Sequence, residues 1–146
     1  MDSRGYQQYQ QQTVNTMTQE ELLLLLYDGL VKYLLRCDLA LTRQDYALLD
    51  QSADRCIQML RYLDDTLDRR YPISNELHKL YDYFGYELNR VKIGRNKERL
   101  DIIRPMISDL RDSFRAASKN TAAMNHGEMH EAAKRQEGTS QHDATT

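Results

Sequence analysis

Tryptophan is absent from this chain, phenylalanine occurs only twice, and 2 prolines and 6 glycines leave few natural break points. So few breakers argue against a turn-dense β fold and favour helices. No long apolar run exists either. The longest, 22–27, falls far short of the roughly 20 residues that cross a bilayer, so membrane insertion is not expected. A basic surplus is also missing: 20 Lys and Arg against 22 Asp and Glu leave a net charge of -2. A nucleic-acid partner would need a basic face to neutralise its phosphates, so none is expected. Residues 1–13 are polar and glutamine-rich, unlike a signal peptide. The 2 cysteines, Cys37 and Cys56, show no CxxC spacing and read as reduced core thiols of a cytoplasmic protein. What is present suits one domain: 146 residues, 40% hydrophobic and 29% charged, enough for a modest core.

Hydrophobic periodicity sets out four helices. Residues 1–17 show no helical period and form a flexible N-terminal arm with apolar islands at Tyr6, Tyr9 and Val14. Thr18, with Glu21 three residues on, opens a helix over 19–42 through a capping box. Its apolar positions cover two stripes. One holds Leu22, Leu26, Leu30, Tyr33 and Cys37; the other holds Leu24, Tyr27, Val31 and Leu35. A surface helix needs one stripe, so this helix is either central or offers an apolar face to something else. A second helix is expected over 45–69 and a third from Ser74, a candidate N-cap after Pro72. The fourth spans 97–118, with Pro105 causing a kink on its outer face and not a break. Residues 119–146 lack Leu, Ile, Val, Phe and Tyr and are expected to be a disordered tail. The spacing thus predicts an all-α fold: an antiparallel up-down-up-down four-helix bundle over 18–118.

Chemistry is poorly represented. Di-metal bundles need Glu-x-x-His pairs, and none lies within the four helices; His126 and His130, four apart, could bind a metal if helical, but they sit in the polar tail with no acidic partner set to complete a site and read as solvated. No nucleophile–base pairing or glycine-rich phosphate loop is present, so neither catalysis nor a cofactor is expected. His78, the one histidine of the bundle, leaves a histidine phosphotransfer domain as an alternative. What stands out is surplus apolar surface: Leu24, Tyr27 and Val31, then Met59 and Tyr62, then Tyr83 and Tyr86. These side chains either line the bundle seams with hydroxyls in water or form a groove for another chain's apolar helices.

The order of local motifs resembles a known family. Tyr6-Gln-Gln-Tyr9 and the following glutamines lead into Glu21-Leu-Leu-Leu-Leu-Leu-Tyr27-Asp28-Gly29. Thr66-Leu67-Asp68, then Leu80-Tyr81-Asp82-Tyr83-Phe84, then Asp109-Leu110-Arg111-Asp112-Ser113-Phe114 follow in sequence. This pattern is similar to the flagellar secretion chaperones of the FliS family, over about residues 6–118. Phe114 stands where a tryptophan is usual. Met17 replaces a small residue, and Pro105 is atypical within the last helix. The resemblance implies a bundle without catalytic activity that binds the C-terminal helical segment of flagellin, prevents its premature polymerisation and assists its secretion. It also implies delivery to the flagellar export gate, and an arm that covers part of the client site through Tyr6, Tyr9 and Val14. A helical adaptor for another secretion client is the neighbouring alternative.

Overall fold

The computed structural model describes residues 16–125, with side chains to residue 120. Four helices follow one another: α1 Gln19–Arg43, α2 Tyr46–Asp65, α3 Ile73–Gly94 and α4 Lys97–Asn125. They pack antiparallel, as the periodicity predicts. The expected arm, Tyr6, Tyr9 and Val14 included, lies outside the described residues, as does the tail from residue 126.

Local chemistry places most helix ends. The Thr18 hydroxyl accepts from the Glu21 amide at 3.1 Å, so α1 starts at its expected cap. The α1–α2 turn consists of two residues. Gln44 takes a left-handed backbone, φ 55°, and Asp45 caps α2 by accepting from the Leu48 amide at 3.1 Å. Two boundaries differ from the sequence reading. α2 stops at Asp65, not 69: the Thr66 hydroxyl donates to the Leu63 carbonyl at 2.8 Å, and Asp68 accepts from the Arg70 amide in a local turn. α3 starts at Ile73 with Pro72 before it, so Ser74 is not its cap. Ser74 sits buried in the first turn and donates to the Asp68 carbonyl, tying the linker to α3. Proline suits a helix start because its φ is already helical and no amide is needed there.

α4 runs unbroken through Pro105, which lies on the exposed face. The carbonyl that Pro105 cannot pair therefore has access to water. Leu100, Ile103 and Ile107 point inward, fully buried. The expected end at residue 118 is passed: the helix continues to Asn125 through alanine-rich sequence that favours it. Residues 112–125 belong to a separate compact unit.

In the unit ending at Arg111 the core follows helical spacing, but on α1 it is shifted from the first expected stripe: Leu34, on neither stripe, and Tyr27 are buried, whereas Leu22, Leu26 and Tyr33 are half-buried. Leu30, Leu34 and Cys37 of α1 are buried, as are Leu49, Cys56, Leu60 and Leu63 of α2 and Phe84, Leu88 and Val91 of α3. Ion pairs tie the helices at their edges. Asp38 of α1 receives Arg104 at 3.3 Å and Lys97 at 3.5 Å; Lys92 of α3 reaches Asp54 of α2 at 2.8 Å.

Candidate functional site

The residues expected to form partner surface do not share one environment. Tyr27 is only 2% exposed, and its hydroxyl meets that of Tyr81 across the core at 2.5 Å. Burial raises the Tyr27 pKa against the opposing effect of the Tyr81 hydrogen bond. Burial, the neighbouring Tyr27 and the charge of Asp64 raise Tyr81. Both therefore remain neutral phenols, paired with each other. Tyr27 is a packing residue of the free chain, not an open anchor. Leu24 and Val31 are half-buried beside it. Met59 is half-buried as well, with its methyl 3.1 Å from where a Cβ on Gly29 would stand. That close approach explains a glycine in the middle of α1.

The open apolar surface lies mainly on α3 and its flanks. Tyr62, Tyr83 and Tyr86 are exposed, Tyr86 by 62%. Arg90 sits 5.7 Å from the Tyr86 ring centre, and Tyr83 leans on Phe84 at 5.8 Å. The sequence reading missed Ile93, Ile102 and Met106, and Leu25 and Leu39 of α1. Ile93 is 81% exposed, the most exposed large apolar side chain described. Its signal was present, because Ile93 follows Tyr86 by seven residues, two turns along the same face.

A groove runs between α2 and α3, lined by Ile57, Leu60, Tyr81, Gly85 and Tyr86, with Arg61, Asp64, Asp82 and Asn89 around it. A second, more open depression includes Tyr86, Asn89, Arg90 and Ile93. Tyr86 and Asn89 contribute to both, so they stand between the two hollows.

Charged groups beside the groove are tied to one another. His78 Nδ1 lies 2.7 Å from Asp64 Oδ1, and its Nε2 lies 3.3 Å from Asp82 Oδ2; Arg69 reaches Asp64 at 3.5 Å. Phosphoryl transfer needs a free ring nitrogen approached by an anion. Here each nitrogen faces a carboxylate, so the geometry gives the phosphotransfer reading no support. The sequence reading also passed over Glu87, a carboxylate on the core stripe of α3. It is buried between Arg90 at 3.5 Å and Arg99 at 3.7 Å, where it links α3 to α4.

The cysteines are free and fully buried. The hydrogen bond with Cys37, together with burial, pushes the Cys56 thiol far up, so it stays protonated. Among the described residues no group of three or more His, Cys, Asp or Glu could hold a metal ion. Among the same residues no helix is long and apolar enough to cross a membrane.

A groove between helices and exposed aromatic side chains are the features of the described residues that a partner could contact. Comparison with known proteins points the same way. The family model described as flagellar protein FliS matches residues 2–121. The flagellar secretion chaperone FliS of Bacillus subtilis (strain 168) is 28% identical over 122 residues, covering 84% of this chain and 92% of that protein. With the family match spanning most of its length, this helical bundle belongs to the FliS family of flagellar secretion chaperones, which are not enzymes.

Proposed function

We propose that this chain binds the C-terminal helical segment of flagellin in the cytoplasm, prevents its premature polymerisation and assists its secretion, handing it on at the flagellar export gate. One observation carries the reading: exposed apolar side chains at Tyr62, Tyr83, Tyr86 and Ile93, with Tyr86 lining the α2–α3 groove, in a member of this family. An amphipathic helix needs cover for its apolar face when its own assembly partners are absent. Leu24, Val31 and Met59, half-buried at the edges of α1 and α2, extend that surface. Tyr6, Tyr9 and Val14 of the arm compete with the client for part of it. Tyr27 contributes from beneath, by holding α1 against α3 through Tyr81.

The test is a titration of the full chain with a purified C-terminal segment of flagellin. A one-to-one complex is expected, with loss of flagellin polymerisation in its presence. Absence of binding at micromolar concentrations would refute the reading.

A further inference from the structure

Three glycines lie in the described helices. Gly29 lets Met59 approach α1, and Gly94 is the last residue of α3, beside the left-handed cap Arg95, where a poor helix former costs little. Gly85 has neither setting. It stands in the middle of α3 without a left-handed backbone, and a Cβ built on it meets no atom within 4 Å. Glycine is among the poorest helix formers, so alanine there would improve the free fold. What Gly85 does is line the α2–α3 groove.

We propose that Gly85 is the floor of a seat for one client helix, whose backbone packs close against α3 between Ile57 and Tyr86. This rests on the flagellin-binding reading above and assigns that client a position. Without a Cβ at its floor, the groove admits an occupant nearer to the α3 axis, and close approach increases contact on both sides. Half-buried Ile57 from α2 and exposed Tyr86 from α3 supply apolar walls, with buried Leu60 beneath. At the rim the Asp82 side chain is 71% exposed and faces His78 on one side, while Asp64, held by His78 and Arg69, and Arg61 lie alongside. The occupant is thus an amphipathic helix with a small or flat residue over Gly85 and a basic side chain reaching Asp82.

The experiment compares the full chain with Gly85→Ala and Gly85→Leu, reading the free chain's thermal midpoint and its affinity for the flagellin C-terminal segment. Gly85→Ala is expected to raise the midpoint by a few degrees, through helix propensity alone. The same methyl intrudes on the seat and weakens binding about tenfold; Gly85→Leu, which fills it, weakens binding about a hundredfold. Stability and affinity then move in opposite directions, which no internal packing role for Gly85 would produce. A lowered midpoint for Gly85→Ala would show that the position is packed from within and overturn the seat. Folded variants that bind like the parent would place the client elsewhere, with the flagellin reading intact. Failure of the parent chain to bind would remove the reading and the seat together.

Discussion

At the scale of single residues, the paired hydroxyls of Tyr27 and Tyr81 are the sharpest feature of the core. A buried hydroxyl without a partner costs more than an absent one. Tyr27→Phe strands the Tyr81 hydroxyl and is expected to cost about 1 to 2 kcal/mol in denaturant unfolding. The double change to phenylalanine removes both hydroxyls of the pair together, so its cost should be well below the sum of the two single changes. The same pair sets an alkaline limit. Both phenols have raised pKa values in the fold, so the folded state holds these protons more tightly than the unfolded chain. Their contribution is complete below the ordinary tyrosine value of about 10 and is lost as pH climbs above it. Melting curves between pH 8 and 11.5 should show the parent chain weakening at the top of that range. The double phenylalanine variant should weaken less steeply; parallel curves would contradict the assignment. Periodicity placed Tyr27 on a second stripe of α1 but could not show that Tyr81, 54 residues away, waited across the core. Ile93, by contrast, was readable from its spacing to Tyr86.

At the scale of elements, both tight turns carry a left-handed residue that is not glycine: Gln44 at φ 55° and Arg95 at φ 52°. An L side chain in that region costs about 1 to 2 kcal/mol, although glycine returns part of the difference through unfolded-state entropy. Gln44→Gly should therefore stabilise the bundle by about 1 kcal/mol. Arg95→Gly should gain less. Its guanidinium lies 3.5 Å from the Tyr46 ring centre, and such a stack at an exposed site is worth about 0.5 to 1 kcal/mol. On a Tyr46→Ala background, the two glycine changes should become equal in chemical denaturation. An unchanged gap would mean that the stack contributes nothing. These turns also show why some boundaries were legible and others were not. Thr18 and Glu21 form a cap written in four consecutive residues, so the start of α1 could be read directly. The end of α2 depends on the Thr66 hydroxyl bonding back to Leu63, and on Asp68 and Ser74 closing the linker. Leu67 kept the apolar period alive beyond that point, and periodicity alone could not register the competing bonds. The α2–α3 groove was equally hidden, because its walls come from two helices and its floor is the absence of a side chain at Gly85.

For the whole molecule, charge balance and apolar surface decide how the proposed complex should respond to conditions. The net charge of -2 provides little long-range field, and Arg61 lines the groove together with the carboxylates of Asp64 and Asp82, so charges of both signs stand there. Arg90 sits between Glu87 and the Tyr86 ring, and Lys92 holds Asp54. Residues 126–146 carry no Leu, Ile, Val, Phe or Tyr, so they have little apolar area to offer the fold or the client. Deleting them should leave the thermal midpoint and flagellin affinity nearly unchanged; a large fall in either would give the segment a role that its composition does not suggest. The binding energy must then come mainly from burying Tyr62, Tyr83, Tyr86, Ile93 and the groove walls. Apolar burial is not screened by salt, whereas attraction between exposed charges fades once ions shorten its reach to about 10 Å at 0.1 M. Affinity for the flagellin segment should therefore change by less than about threefold between low and moderate salt, with only the rim charges at Arg61, Asp64 and Asp82 screened. Burial of that surface should also make the heat-capacity change of binding negative. Calorimetric titrations at several temperatures and two salt concentrations measure both quantities. An affinity that collapsed with added salt, with a heat-capacity change near zero, would mean that charge, and not the apolar surface around α3, holds the client.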